Sequence, residues 1–192
     1  MSNVALEHEW WVSPEEYLDG EELAQTKHEY VGGMVYAMAG ARNRHNQIAV
    51  NALLEVGGQL RGRPCQPCNS DTKVRVRRGD DVRFYYPDAM VVCEPNDLDE
   101  VFQDRPVVIF EVISDSTART DREEKLRAYQ SIPTLRVYAI IESERLGVTC
   151  YRRQDESAPW LVELCKERAD NLSLDAIGCD VSMEALYARS GL

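Results

Sequence analysis

The sequence predicts a mixed α/β (α+β) fold, a mixed central β-sheet flanked by helices, as a single domain over residues 1–192. Three observations predict it. Apolar periodicity alternates along the chain in the order strand, helix, several strands, helix, strands, which suits one sheet with helices packed against it. The run "VVIFEVI" is β-branched or aromatic at every position but one, the composition of a strand covered on both faces. Between Asn43 and Leu60, His45, Ala49, Ala52, Val56 and Leu60 fall on one helical stripe, with Ile48 and Leu53 at its edges.

Each element has its own signal. In "SPEEYL", Ser13 as N-cap, Pro14 at the first helical position and Glu16 closing a capping box start a helix. "KHEYVGGMVYAMA" reads as two strands turning at Gly32-Gly33. The striped helix follows, with Asn43 as its expected cap, and then a loop containing prolines and cysteines. "TKVRVRR" and "VRFYYPDAMVVCE" are strands, and "EPNDLDEVFQDRP" is a connection with a helical turn. After the strand of Glu111, Thr120 and Glu123 form a second capping box, opening a helix that Pro133 stops. "LRVYAIIE", "LGVTCYRR" and "WLVELCK" are strands, and "SMEALYARS" is a closing helix.

Composition narrows the class. Hydrophobic content of 44% with 29% charged residues belongs to a globular domain. No apolar run reaches the length of a membrane span, and the first residues lack the basic and apolar regions of a signal peptide, so a cytoplasmic protein is expected. Of six cysteines only Cys65 and Cys68 form a close pair, which disfavours zinc and leaves reduced thiols as small packing residues. The net charge of −11 disfavours indiscriminate nucleic-acid binding. Residues 61–83 run against that balance, with seven basic and three acidic residues. There Lys73, Arg75 and Arg77 alternate with Val74 and Val76, so one strand face is a basic row: a solvated outer face or a phosphate-facing ridge.

The misfit residues carry the chemistry. Glu111 shares a strand face with Val107, Ile109 and Ile113, where an ionised carboxylate costs several kcal/mol unless it is paired or metal-bound. Asp88, in "YPDAMVV", likewise stands where an apolar residue would fit. If their strands are neighbours, two carboxylates face one side of the sheet and call for a cation between them, for which Mg²⁺ or Mn²⁺ is suited. Lys125 lies five residues past Thr120, about 7–8 Å into its helix. Glu111 lies two residues before Ile113, about 7 Å down its strand, so the heights match. Lys125 also begins the stripe completed by Ala128, Tyr129 and Ile132. His45 begins the stripe of its own helix, near an N-terminus that welcomes anions. Glu29, in an otherwise apolar hairpin, reads by itself as an exposed edge residue.

The ordered set "HEYVGGMVYAMAG", "RHNQIAVNALL", "YPDAMVVC", "VVIFEVISDSTARTDREEKLRAY" and "PTLRVYAIIE" resembles the Uma2 family, a branch of the PD-(D/E)XK nuclease-like superfamily. The resemblance runs from about residue 11 to the C-terminal helix and is most specific over residues 111–129. It implies a restriction-endonuclease-like core, with Asp88, Glu111 and the backbone carbonyl of Val112 holding Mg²⁺ and a lysine orienting the attacking water. The superfamily's lysine is expected two residues after Glu111, where this chain has Ile113; Lys125, from the following helix, fits the role instead. Glu29 and His45 match the acidic residue and histidine of the family's opening motifs. The resemblance places Glu29 at the rim as an outer metal or water ligand, and His45 there as a phosphate-facing group.

Three functions follow as alternatives. The first is an Mg²⁺-dependent endonuclease that meets DNA through Lys73, Arg75 and Arg77, and by analogy forms a homodimer. The second is an inactive nucleic-acid or partner-binding module that retains the fold. The third, a metal-independent hydrolase using two carboxylates, fits least well with a lysine beside them.

Overall fold

A computed structural model describes residues 11–114 and 121–192. Helix α1 (Pro14–Leu23) begins as its sequence dictates: Ser13 Oγ accepts the Glu16 N–H, and the Glu16 side chain accepts the Ser13 N–H. Strands β1 (His28–Val31) and β2 (Met34–Ala37) form the expected hairpin. Its turn needs glycine twice over at Gly33, where φ is +100° and a Cβ would collide with the Trp11 indole.

Helix α2 (Asn43–Gln59) is followed by β3 (Gln66–Asn69), β4 (Lys73–Arg78), β5 (Asp81–Tyr85), β6 (Ala89–Val92), β7 (Phe102–Gln103) and β8 (Pro106–Ile113). A π-helical turn, Asp121–Lys125, runs into α3 (Leu126–Gln130). Strands β9 (Val137–Glu142), β10 (Val148–Arg152) and β11 (Leu161–Cys165) come next. The hairpin of β12 (Asn171–Leu174) and β13 (Cys179–Ser182) and helix α4 (Met183–Leu186) close the chain.

The strands divide into two main sheets rather than one. The six-stranded sheet runs β11-β10-β9-β8-β6-β3, mixed because β8 and β9 are parallel. The five-stranded sheet runs β2-β1-β5-β4-β7. One face of the six-stranded sheet packs Val91, Val108, Phe110 and Ala139 on Ile48, Ala52 and Val56 of α2 and Leu186 of α4. Its other face packs Met90, Ile109, Ile113 and Ile140 on Val74, Val76 and Tyr85 of the second sheet and on Ala128 and Tyr129 of α3. Strand alternation puts Glu111 with Ile109 and Ile113, on the face between the two sheets.

Several local expectations are corrected. The N-cap of α2 is Arg42, not Asn43, and its side chain makes no capping bond. Strand β3 occupies what reads as a loop, because a proline and a cysteine can sit on a sheet edge. The segment after Cys93 contains the short β7 rather than a helical turn. The hairpin β12–β13 is an addition to the expected elements, its strands being too short to stand out by periodicity. The capping box at Thr120 lies outside the described residues.

The cysteines are not all reduced. Cys65 and Cys93 form a disulfide. The β3–β6 register pairs Gln66 with Val92, so the next position outward sets these two thiols face to face. Cys68 faces Met90 in the same ladder and keeps its thiol, as do the buried Cys150, Cys165 and Cys179.

Candidate active site

Glu111, near the C-terminal end of β8, is 4% exposed, and its Oε1 accepts two hydrogen bonds from the described residues. One comes from Lys125 Nζ at 3.2 Å and the other from the Tyr129 hydroxyl at 2.8 Å. Lys125, itself 6% exposed, also lies 2.9 Å from Glu29 Oε1. Its ammonium is 5.8 Å from the centre of the Tyr85 ring, a cation–π neighbour. An ammonium between two carboxylates supplies the compensation that a buried Glu111 requires.

The tyrosines are fixed as neutral phenols. Burial pushes the Tyr129 hydroxyl well above its usual range, and the adjacent Glu111 carboxylate adds to it. Burial acts in the same direction on Tyr85, whose hydroxyl donates to Glu124 Oε1 at 3.1 Å. Tyr129 is the residue that sequence reasoning missed. It sits four positions after Lys125 on the same stripe, but its ring reads as ordinary core; only Glu111 facing that stripe gives its hydroxyl a task.

Asp88 stands just before β6. The β6–β8 register pairs Ala89 with Phe110, and carried one position on it sets Asp88 across from Glu111. Asp88 Oδ2 accepts the backbone N–H of Val112 at 2.7 Å, which fixes the carboxylate to the strand that carries Glu111. His45 Nε2, from the first turn of α2, lies 3.4 Å from the same oxygen, and His45 Nδ1 is buried with no hydrogen-bond partner among the described residues.

Glu29 differs from its reading as an exposed edge residue. It lies in β1, which is covered by β2 on one side and β5 on the other, so it is not at an edge. Its side chain is 15% exposed and turns inward to Lys125, while its Oε1 also receives the Tyr86 N–H at 3.4 Å. The structure therefore brings together Glu29, His45, Asp88, Glu111 and Lys125, from β1, α2, the approach to β6, β8 and the π-helical turn.

The basic row does not form as expected. Lys73 is 6% exposed, with its ammonium 5.2 Å from the Tyr86 ring centre, and burial lowers its pKa. Arg75 makes two 2.7 Å hydrogen bonds to Asp104 and stacks 4.0 Å from the Phe102 ring centre. Of the three only Arg77 is exposed. Alternation holds, but the face it defines is covered near Lys73 by Tyr86 and beside Arg75 by Phe102 and Asp104.

Among the described residues no three His, Cys, Asp or Glu side chains cluster as a metal centre. The oxygen donors of Asp88 and Glu111 on facing positions suit a hard divalent cation of the kind held by one or two carboxylates with water and substrate.

Comparison with known proteins bears on family and fold. The family model "Uma2: Putative restriction endonuclease" matches residues 14–185. "Uncharacterized protein slr1290" of Synechocystis sp. is 34% identical over 177 residues, covering 92% of this chain and 91% of the relative. "Uncharacterized protein sll1609" of the same organism is 30% identical over 158 residues, covering 81% and 88%. A crystal structure described as "a putative nuclease belonging to DUF820 from Anabaena variabilis" superposes with a TM-score of 0.72 at 16% identity, over 92% of this chain and 98% of that one. The shared fold is restriction-endonuclease-like.

Proposed function

The chain belongs to the Uma2 family, and from that premise we propose that it is an Mg²⁺-dependent endonuclease hydrolysing phosphodiester bonds of DNA. The observation that carries the proposal is the buried Lys125 ammonium 3.2 Å from Glu111 Oε1, on a strand whose register sets Asp88 across from Glu111.

Asp88, Glu111 and the carbonyl of Val112 would hold the cation, which when bound polarises the phosphodiester and acidifies a coordinated water. Asp88 is preset for this because the Val112 N–H fixes one of its oxygens. Tyr129 does the same for Glu111, donating a proton it does not give up. Lys125 carries three donors on one charge; Glu29 and Glu111 aim it, and from there it orients the attacking water and offsets charge developing on the phosphoryl oxygens. Glu29 therefore acts on the reaction through Lys125. His45, beside Asp88 at the start of α2, is the phosphate-facing group, where a helix N-terminus favours an anion.

The test is cleavage of plasmid and single-stranded DNA with Mg²⁺ or Mn²⁺, paired with the thermal shift that each metal produces. Cleavage by the wild type that disappears in Glu111→Ala and Lys125→Ala, with a metal-induced shift lost only in Glu111→Ala, supports the proposal. A folded protein whose stability ignores both metals, or that cuts equally well without Glu111, refutes it.

A further inference from the structure

The basic row on β4 is largely committed to internal partners, so the phosphates of a nucleic acid need cations from elsewhere. A cleft of about 280 Å³ lies beside the π-helical turn, lined by Arg78, Arg83, Arg127, Glu123 and Glu124. In a chain of net charge −11, three guanidiniums around one opening stand out. We propose that this cleft is the track for the nucleic-acid backbone, with Arg78 and Arg127 as the phosphate contacts that feed the strand to the reacting centre. This rests on the nuclease reading above.

The three arginines differ in what they can offer. Arg83 is fixed in place: Asp81 accepts its Nε at 2.9 Å and lies 2.8 Å from Nη2, and its Nη1 lies 3.4 Å from the Tyr85 hydroxyl. Arg78 and Arg127 are exposed. Glu124, the carboxylate that would repel a phosphate, accepts the Tyr85 hydroxyl and lies 3.9 Å from Arg83, so its charge is opposed within the protein. Glu123 stands four residues before Arg127, at helical pair spacing.

Position links the cleft to the site. Glu124 on the cleft wall precedes Lys125 in the chain, and Tyr85 touches both, through its hydroxyl to Glu124 and its ring to the Lys125 ammonium. One aromatic ring separates the arginine cleft from the amine. A larger cleft of about 430 Å³ contains Arg105 and Arg136, but Arg105 donates to the Glu94 carbonyl and Arg136 to the carbonyls of Pro133 and Leu135. Its cations are already engaged.

The experiment measures binding apart from cleavage. Fluorescence anisotropy of labelled duplex and single-stranded DNA is followed across a salt series in chelator, with the full chain. Removing two phosphate contacts in Arg78→Ala/Arg127→Ala lowers the slope of log affinity against log salt by about 2 and weakens binding at low salt by about tenfold or more. Arg78→Lys/Arg127→Lys keeps the slope. An unchanged slope, an equal loss in Lys166→Ala/Arg168→Ala, two exposed cations outside the cleft lining, or no DNA bound by the wild type overturns the inference. If the slope falls as expected but Mg²⁺ supports no cleavage, the track stands and the endonuclease reading fails. Cleavage with unaltered salt dependence in the double variant means the opposite: the endonuclease reading stands and the track fails.

Discussion

At Glu111 Oε1, an ammonium and a phenol converge on one oxygen inside the protein, and the two donors do different work. Lys125 balances the charge, whereas Tyr129 sets the direction. Removing the phenol alone separates these contributions. Tyr129→Phe keeps the ring that packs on Tyr85 and Tyr138 but deletes a hydrogen bond to a charged acceptor. Unfolding in urea should show a loss of about 1.5–3 kcal/mol. If Glu111 is a ligand and must be held in one rotamer, kcat should fall about tenfold, near 1.4 kcal/mol of barrier, with KM little changed. An unaltered kcat would make Tyr129 a purely structural partner. The sequence made Glu111 and Lys125 legible because each is a charge in an apolar pattern. Tyr129 was not legible, since a tyrosine on a buried stripe violates no pattern.

At the scale of elements, β4 shows how pairing across long chain separations overrules a strand's own pattern. The alternation of Lys73, Arg75 and Arg77 was visible, but Asp104, which neutralises Arg75, lies 29 residues away on a segment that reads as connection. Burial tends to raise the pKa of Asp104, but hydrogen bonds from Arg75 and Asn96 outweigh it, and the net shift is downward. A carboxylate whose pKa is lowered on folding adds stability above its unfolded value of about 3.9 and loses it as pH falls through the folded value. Wild-type stability should therefore decline in that acidic window. Asp104→Asn should start about 1 kcal/mol lower at neutral pH and show a flatter acid limb in denaturant titrations.

The edge strand β3 makes a second case. Its disulfide closes a loop with a sequence separation of 28, and opening such a loop releases chain entropy worth about 3–4 kcal/mol in the unfolded state. Treatment with a thiol reductant, or Cys65→Ser/Cys93→Ser, should lower the urea midpoint accordingly. The bridge caps the Gln66–Val92 end of the ladder, whereas Asp88 adjoins the Asn69–Ala89 end, so kcat should survive its loss. Cys68 drew attention because it is near Cys65 in the chain, but only the antiparallel register with β6 could reveal Cys93 as the partner.

For the whole molecule, the class of fold was legible from the order of periodicities and from the long apolar strand β8. The division into two sheets was not, because strand periodicity fixes faces and says nothing about which edges meet. That division matters, since Glu29 belongs to the five-stranded sheet and Glu111 to the six-stranded one, and Lys125 grips both. Activity followed through a urea titration should vanish with, or ahead of, the change in tryptophan fluorescence, and never after it. If the site cuts, its being shared between two sheets is also a safeguard. On the endonuclease reading, a nascent or heat-loosened chain whose sheets have not met cannot bring Glu29 and Glu111 to Lys125, so DNA would meet an assembled centre only in finished copies.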